Sequence, residues 1–336
     1  MKSYLDIFID EEYPNFLDKY LKTKTMKRIM GVSQFCGCDY TKLYNPLFFL
    51  TRFDHSLVVA HMVWHFTHDK KATIAALLHD VGTPCFAHTI DVLMDDAISQ
   101  ESSEKDILEI IKKDAELMEY LMNDKILLAD LANLDKYSIL ENKSPKLCAD
   151  RLDGVLHTCY VWLHTHTLEE IQEVYSDLIV LKNEEGNLEI GFSHKKVALK
   201  FVKMVYVYAK ELQGNRDKYV MKYISETIKK AIQSKFLKIA DLYVRKEKDI
   251  IKVLSESFCS WNDFSSATDI VGTNQKPTNF SVSFEIKKRN VIPLIKEKND
   301  IKRIDDVSKS ASIIYKRLQD YHDFKYGYIT KIKNIV

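Results

Sequence analysis

The chain has 336 residues, enough for one large domain or two of ordinary size. Hydrophobic residues make up 46% of it, and only 9 Gly and 6 Pro interrupt it, which favours a mainly helical protein with an ample core. The 49 basic and 48 acidic residues give a formal net charge of +1, so no global field attracts nucleic acid or a membrane surface. We therefore do not expect nucleic acid as a partner.

Residues 1–16 are acidic and lack the apolar centre of a signal peptide. No stretch reaches the roughly 18 uninterrupted apolar residues of a membrane span, so we expect no membrane partner. The six cysteines show no disulfide spacing, and the pair Cys36 and Cys38 lacks the second pair that a structural zinc site needs. These features predict a cytoplasmic protein with free thiols.

The first half of the chain reads as a succession of helices. Short helices with turns near Pro14 and Gly37 are expected over residues 1–45. Asp150 falls at the head of another short helical segment. Helical spacing of the apolar residues predicts the remaining helices, at about 55–66, 70–79, 88–98 and 104–123, with short segments within 125–166.

The second half of the chain starts with a β-type pattern. Two β-rich flanks around Asn183 to Gly186 predict a hairpin over 178–192. Residues 260–279 read as a polar loop, and residues 279–286 alternate like a strand. Helical spacing predicts further helices at about 194–213, 216–233, 244–258 and 305–320.

Together these elements predict an all-α fold, a mainly helical bundle with a small β-hairpin and a minor C-terminal α+β appendage. We divide the chain into three units. They are a core with its N-terminal helices (1–175), the hairpin with a helical extension that packs on the core (176–258), and the C-terminal appendage (259–336). No motif assigns a role to the appendage.

One group of histidine and aspartate side chains has the residue types of a functional site. His55 lies near the start of one predicted helix, and His79 with Asp80 ends the next, so the three converge if the two helices pack antiparallel. A fourth ligand, Asp150, must come from a distant helix. Neutral imidazoles and carboxylates hold the divalent metals that activate water, so these four residues form a candidate metal site.

The ligand set does not identify the metal. Mn, Fe, Ni, Zn and Mg suit two imidazoles and two carboxylates to different degrees. His61, His65 and His88 lie close to the set along the chain and leave room for one metal or two.

Four segments resemble a known family. They are Arg52-Phe-Asp-His55-Ser-Leu, Leu77-Leu-His79-Asp80-Val-Gly82, Phe86-Ala-His88-Thr and Ala149-Asp150-Arg-Leu-Asp153. In this order they resemble the HD-domain phosphohydrolase superfamily, most closely the branch of deoxynucleoside triphosphate triphosphohydrolases. The match covers residues 50–158, and a weaker one continues to about residue 258. The resemblance implies an HD-domain helical bundle, a metal-dependent hydrolase and a homo-oligomer.

The resemblance implies the four metal ligands named above and adds residues around them. Arg52 and His88 would contact the substrate phosphate, which a guanidinium binds in a bidentate way. His88, Asp91 and Glu101 are the catalytic candidates: Asp91 would orient a histidine or water, and Asp91 or Glu101 would assist proton transfer. A metal-bound water of lowered pKa would attack phosphorus.

Residues that recognise a nucleoside triphosphate in that branch are partly missing here. Thr83 stands where a histidine normally follows the glycine, and Gly154 stands where a tyrosine is usual. Gln100, which cannot transfer a proton, replaces a further histidine. An arginine expected on the helix before Tyr206 is also absent, and Lys195, Lys196 or Lys200 is a candidate substitute as a point charge. We take Lys200 and Tyr206 as substrate-binding candidates.

The metal ligands are all present, whereas the residues that recognise a triphosphate are not. This favours a metal-dependent phosphohydrolase that cleaves a phosphate ester or anhydride of a nucleotide-like substrate, with dNTP triphosphohydrolysis as one form. Two alternatives stay open: a phosphomonoesterase or phosphodiesterase of the same superfamily, and a catalytically weak nucleotide-binding sensor. The expected partners are a small phosphorylated substrate and further copies of the chain. The expected cofactor is a divalent metal ion (Mn, Fe, Ni, Zn or Mg).

Overall fold

A computed structural model describes residues 3–9, 13–99, 107–298 and 300–335 of the chain. It is mainly helical with two small sheets, which confirms the predicted fold class. Within the described ranges, we find no helix with the length and apolar character that crossing a membrane requires.

The helices of the N-terminal part are α1 (Asp18–Leu21), α2 (Lys24–Ile29), α3 (Arg52–Thr67), α4 (Lys70–Leu78), α5 (His88–Leu93), α6 (Ile107–Lys112), α7 (Ala115–Asn123), α8 (Leu128–Ala132), α9 (Ala149–His157) and α10 (Leu168–Ser176). Short 3-10 turns lie at Leu5–Ile7, Asn15–Leu17, Cys38–Tyr40 and Leu134–Lys136. A π-helix continues α9 over Thr158–Trp162.

The helices of the C-terminal part are α11 (Lys195–Gln213), α12 (Asn215–Gln233), α13 (Asp241–Val244), α14 (Glu247–Ser257), α15 (Trp261–Ser266), α16 (Ile304–Val307) and α17 (Lys309–Gln319). The strands are β1 (Leu178–Lys182), β2 (Leu188–Phe192), β3 (Val271–Thr273), β4 (Ser281–Val282), β5 (Leu294–Glu297), β6 (Asp300–Arg303) and β7 (Tyr326–Tyr328).

The helices α3 and α4 form a pair whose ends are set by local hydrogen bonds. The Asp54 N–H donates to Thr51 Oγ1 (3.1 Å) and the Thr51 N–H donates to Asp54 Oδ2 (2.9 Å), a capping box that starts α3. His68 ends α3 with a left-handed φ of 50°, and Asp69 caps α4 by accepting from the Lys71 N–H (2.8 Å). This short connection folds α4 back along α3, so the start of α3 lies beside the end of α4.

The helix α9 packs against α3 and completes the helical part of the site. The Ala149 N–H at its start donates to the Ile139 carbonyl oxygen (2.8 Å), which ties the helix to the preceding loop. Asp150 therefore lies in the first turn of α9, at the head of a helix as predicted.

The first sheet contains the predicted hairpin. β1 and β2 pair antiparallel, with Val180 opposite Ile190. β2 also pairs in parallel with β5, which pairs antiparallel with β6, so the strand order is β1-β2-β5-β6. The C-terminal appendage thus extends the hairpin into a four-stranded sheet, which the sequence did not predict.

The second sheet lies within the C-terminal appendage. Its order is β3-β7-β4, and both pairings are antiparallel. The strand predicted over 279–286 is present only as the short β4. Residues 283–293 form neither helix nor strand and connect β4 to β5; we call this segment the strap.

Three further predicted elements differ from the structure. The helix expected over 104–123 is two helices, α6 and α7, within the described residues, because Asp114 caps α7 by accepting from the Leu117 N–H (3.2 Å). The helix expected to reach residue 98 ends at Leu93, before the left-handed Asp95 (φ 58°). The polar loop over 260–279 contains α15, whose Trp261 and Phe264 are buried. The division into units 1–175, 176–258 and 259–336 stays a prediction.

Candidate active site

The ends of α3, α4 and α9 bring four polar side chains together. His55 Nε2 lies 3.0 Å from Asp150 Oδ1 and 3.9 Å from Asp80 Oδ2. His79 Nε2 lies 3.5 Å from the same Asp150 oxygen and 3.8 Å from the same Asp80 oxygen. The structure therefore places the four predicted metal ligands around one point.

The two imidazoles turn their Nε2 atoms toward this point. His55 Nδ1 donates to Asp153 Oδ2 (2.5 Å) and His79 Nδ1 donates to the Ala76 carbonyl oxygen (2.7 Å), so in each neutral ring Nε2 carries the lone pair. Within the described ranges, the buried His79 Nε2 accepts no hydrogen bond of acceptable geometry. Two lone pairs that face two carboxylates leave a place for a cation, so the residues fit a divalent metal ion.

The carboxylates also raise the proton affinity of the imidazoles. Burial lowers the pKa of His55, but its hydrogen bonds to Asp150 and Asp153 and their charges outweigh burial and raise the pKa to about 10. Burial likewise lowers the pKa of His79, but Asp80 and Asp150 raise it above its ordinary value. The cluster thus attracts positive charge.

A buried carboxylate supports His55 from behind. Asp153 is fully buried and accepts hydrogen bonds from His55 Nδ1, from the Tyr4 hydroxyl (2.5 Å) and from His157 Nδ1 (3.2 Å). Burial would raise the pKa of Asp153, but His157 and His55 hold it below its ordinary range. The sequence motif contains Asp153 without assigning it a role, and no sequence pattern indicated Tyr4 or His157 as its partners.

Arg52 lies at the first position of α3 and contacts a predicted metal ligand. Its Nη1 lies 2.9 Å from Asp80 Oδ2, and the Thr83 hydroxyl donates to Asp80 Oδ1 (3.1 Å). Burial would raise the pKa of Asp80, but the charges of Arg52 and His79 hold it well below its ordinary value. Arg52 therefore keeps Asp80 ionised and oriented, and its contact with substrate phosphate stays a prediction.

The turn that leads into His88 is strained and tied to distant residues. Phe86 and Ala87 have φ values of 66° and 42°, where residues with a side chain are rare. The Phe86 N–H donates to the buried Glu247 Oε1 (2.7 Å), and Arg28 Nη2 donates to two carbonyl oxygens of the turn at 2.7 and 2.8 Å. No sequence signal indicated Arg28 or Glu247, because both contacts cross large separations along the chain.

His88 is oriented by the acidic residue one turn later. His88 Nδ1 donates to Oδ2 of the fully buried Asp91 at 2.9 Å. Burial is the main cause that lowers the pKa of His88; the charges of Arg289 and Arg52 add to this effect, whereas Asp91 opposes it. A neutral imidazole whose Nδ1 is occupied has only Nε2 left to accept a proton or bind substrate.

One pocket of about 410 Å³ joins these residues, with Arg52, His79, Asp80, His88 and Asp150 in its wall. The sequence did not indicate several charged residues that also line it, namely Asp135, Glu141, Arg151, Lys287 and Arg289. Arg151 Nη1 lies 2.8 Å from Glu141 Oε1. Lys287 and Arg289 come from the strap, and the basic run Lys287-Lys288-Arg289 is the signal that could have marked them.

The other predicted substrate-binding residues lie elsewhere. Lys200 pairs with Glu173 and does not line this pocket. Tyr206 lines a separate cavity of about 470 Å³ with Trp162. Glu101, predicted to assist proton transfer, lies outside the described residues, as does Gln100. The roles of Lys200, Tyr206 and Glu101 stay predictions.

Comparisons with known proteins agree with the fold. No known family model matches this chain. Uncharacterized protein YdhJ of Bacillus subtilis (strain 168) is 25% identical over 249 residues, which cover 72% of this chain and 71% of that protein. A solved phosphohydrolase from Bacteroides thetaiotaomicron is 15% identical with a TM-score of 0.62, and the match covers 95% of each chain. A hypothetical protein from Aquifex aeolicus is 15% identical with a TM-score of 0.55, covering 92% of this chain and 90% of that one. The chain therefore shares its fold with these two solved proteins.

Proposed function

We propose that this protein is a metal-dependent phosphohydrolase of the HD-domain type, acting on a small phosphorylated, nucleotide-like compound. The observation that carries the proposal is that His55, His79, Asp80 and Asp150 face one point in a pocket whose wall includes four cationic side chains. The fold shared with a phosphohydrolase supports the proposal, while the reaction is argued from the site itself.

Some residues of the proposed site bind the metal ion directly, and another orients a ligand. His55, His79, Asp80 and Asp150 bind it, and Asp153 fixes the tautomer of His55 so that Nε2 faces the ion. When bound, a divalent cation supplies Lewis-acid polarisation of a phosphate oxygen and activation of water.

Two further side chains act on the substrate. Arg52 binds phosphate oxygens beside Asp80, because its planar guanidinium has more donors than the single contact at 2.9 Å uses. His88 accepts a proton or a hydrogen bond at Nε2, since its Nδ1 is held by Asp91. Cytoplasmic location, a homo-oligomer and dNTP triphosphohydrolysis stay predictions.

The first experiment measures metal binding and turnover separately. Isothermal titration with Mn²⁺ is carried out on the wild type, on His79→Ala and on His322→Ala, whose exposed imidazole lies outside the pocket. Phosphate or pyrophosphate release is then assayed with Mn²⁺ and a panel of dNTPs, mononucleotides and cyclic nucleotides. We expect Mn²⁺ binding by the wild type and His322→Ala, its loss in His79→Ala, and turnover of at least one substrate class.

The outcomes separate the alternatives. Equal Mn²⁺ affinity of His79→Ala and the wild type would contradict the proposed metal site. Mn²⁺ binding together with tight nucleotide binding and no turnover would favour the nucleotide-binding sensor over the enzyme.

A further inference from the structure

The strap (residues 283–293) bridges two parts of the helical core. Hydrogen bonds tie it down on both sides of the pocket: the Lys287 N–H to the Ala97 carbonyl oxygen (3.2 Å), the Ser144 hydroxyl to the Asn290 carbonyl oxygen (3.0 Å), and the Ile292 N–H to the Pro145 carbonyl oxygen (2.8 Å). The first contact follows α5, which starts with His88, and the other two precede α9, which carries Asp150. The strap is therefore hydrogen-bonded to segments that adjoin two helices of the proposed site, the helix of His88 and the helix of Asp150.

Three consecutive basic residues of the strap, Lys287, Lys288 and Arg289, line two cavities. Arg289 lines the pocket that contains the proposed metal ligands, Lys288 lines a different cavity of about 620 Å³, and Lys287 lines both. Lys287 Nζ also donates to the Ser99 carbonyl oxygen (3.0 Å), which is a neutral partner.

Among the described residues that line the pocket, the formal charges balance without a metal ion. The described lining residues include four cationic side chains and four anionic ones: Arg52, Arg151, Lys287 and Arg289 against Asp80, Asp135, Glu141 and Asp150. Arg52 pairs with Asp80, and Arg151 pairs with Glu141. A divalent cation then brings the formal charge of this wall to +2, which a dianion neutralises and a monoanion does not.

We propose that Arg289 and Lys287 of the strap bind the substrate phosphate and select a phosphate monoester dianion. This inference rests on the proposed function and names the substrate class of the same site. The guanidinium of Arg289 offers paired donors to two phosphate oxygens, and Lys287 adds a point charge. A diester carries one charge on its phosphate, and a nucleoside triphosphate carries about four, so neither matches the wall as well.

The test uses the full-length chain and two probes. Steady-state hydrolysis of p-nitrophenyl phosphate and of bis(p-nitrophenyl) phosphate is measured with Mn²⁺, and binding of inorganic phosphate is measured by titration calorimetry. The variants are Arg289→Gln, Arg289→Lys and Lys288→Gln. The last is a matched control, because it removes one charge from the same segment but on the side that faces the other cavity.

We expect Arg289→Gln to raise both the KM for the monoester and the Kd for phosphate by about 10- to 100-fold, the usual effect of losing a charged hydrogen bond. Arg289→Lys is expected to restore part of this loss, and Lys288→Gln to behave like the wild type. Mn²⁺ affinity is expected to be the same in all of them, since none of these residues is a proposed metal ligand.

Two results would overturn the inference while the proposed function stands. One is monoester hydrolysis in which Arg289→Gln and Lys288→Gln have the same KM. The other is wild-type hydrolysis of the diester as fast as of the monoester. If the wild type hydrolyses neither probe nor any nucleotide, the proposed function fails, and phosphate binding still decides the role of Arg289: equal Kd values for Arg289→Gln and Lys288→Gln would refute it.

Discussion

His55 Nδ1 lies 2.5 Å from Asp153 Oδ2. This contact orients a proposed metal ligand, although Asp153 itself does not line the pocket. Because Asp153 accepts the Nδ1 proton, the lone pair of His55 is confined to Nε2, which faces Asp150 at 3.0 Å. The same carboxylate also accepts hydrogen bonds from Tyr4 and from His157 of its own helix, so three partners fix its position. Metal affinity should therefore depend on a residue that is not a metal ligand.

The variant Asp153→Asn tests this dependence. The amide keeps the size of the side chain but replaces one acceptor oxygen with an NH₂ donor, which would face the donors of His55, His157 or Tyr4. Loss of such a supporting carboxylate weakens metal binding by about 10- to 100-fold, and we expect this loss in titration calorimetry with Mn²⁺.

Asp177→Asn is the matched control for that variant. Asp177 also accepts hydrogen bonds from a histidine, His194, but this pair lies outside the pocket. It should bind Mn²⁺ as the wild type does. If Asp153→Asn binds Mn²⁺ with wild-type affinity too, the orienting role of Asp153 is wrong.

Glu247 should make the stability of the protein depend on pH. It accepts hydrogen bonds from the Phe86 N–H (2.7 Å) and the Tyr40 hydroxyl (3.1 Å). The pKa of Glu247 is raised from its ordinary value of 4.5 to about 8, mainly by burial and further by the charge of Asp39. The hydrogen bonds oppose this shift. Between these two pH values the folded chain keeps a proton that the unfolded chain has lost. The free energy of unfolding must therefore fall as the pH rises through this window, and the fall is complete above it.

Urea denaturation at about pH 6 and about pH 9 measures this effect. Glu247→Gln cannot ionise, so we expect its stability to fall less between the two pH values than that of the wild type. Glu256→Gln removes an exposed carboxylate from the same helix and should keep the wild-type dependence. Identical pH dependence of Glu247→Gln and the wild type would show that Glu247 is ionised in the folded chain.

The convergence of His55 with His79 was predictable because it is local. The two residues lie on consecutive helices, α3 and α4, which a short connection joins. Asp150 was located by motif resemblance, since no local pattern indicates that a helix so far along the chain packs against α3.

The positions that escaped prediction are set by long-range contacts. Arg289 reaches the pocket because the next residue of the strap, Asn290, is held by Ser144, 146 positions away. The break between α6 and α7 depends on Asp114, whose Oδ2 accepts from the Thr25 N–H 89 positions away (2.9 Å). Hydrogen bonds of this kind leave no periodic pattern in the sequence, which reports only neighbours along the chain.

Lys200 illustrates a different limit of predicting site residues from sequence. The helix that carries it was predicted at nearly the right residues, and the structure has it as α11. Which face of a helix meets a pocket depends on packing against other elements, and here Lys200 faces Glu173 on α10. The charge expected from that helix is available in the pocket from the strap instead.

Alanine substitutions at Gly37 and Gly186 distinguish the effect of backbone strain from the effect of a steric clash. Both have left-handed φ values, 99° and 82°, so alanine at either position is strained by about 1–2 kcal/mol. An added Cβ at Gly37 would lie 2.3 Å from Ile224 Cδ1, whereas one at Gly186 would meet no atom within 4 Å. Ile224 is fully buried, so it has no solvent space into which to move.

We therefore expect Gly37→Ala to lower the free energy of unfolding by about 1–3 kcal/mol more than Gly186→Ala does. This is the usual cost of overpacking a core. Urea denaturation of both variants measures the difference. Equal stability of the two variants would mean that the core around Ile224 accommodates the added methyl group at no cost.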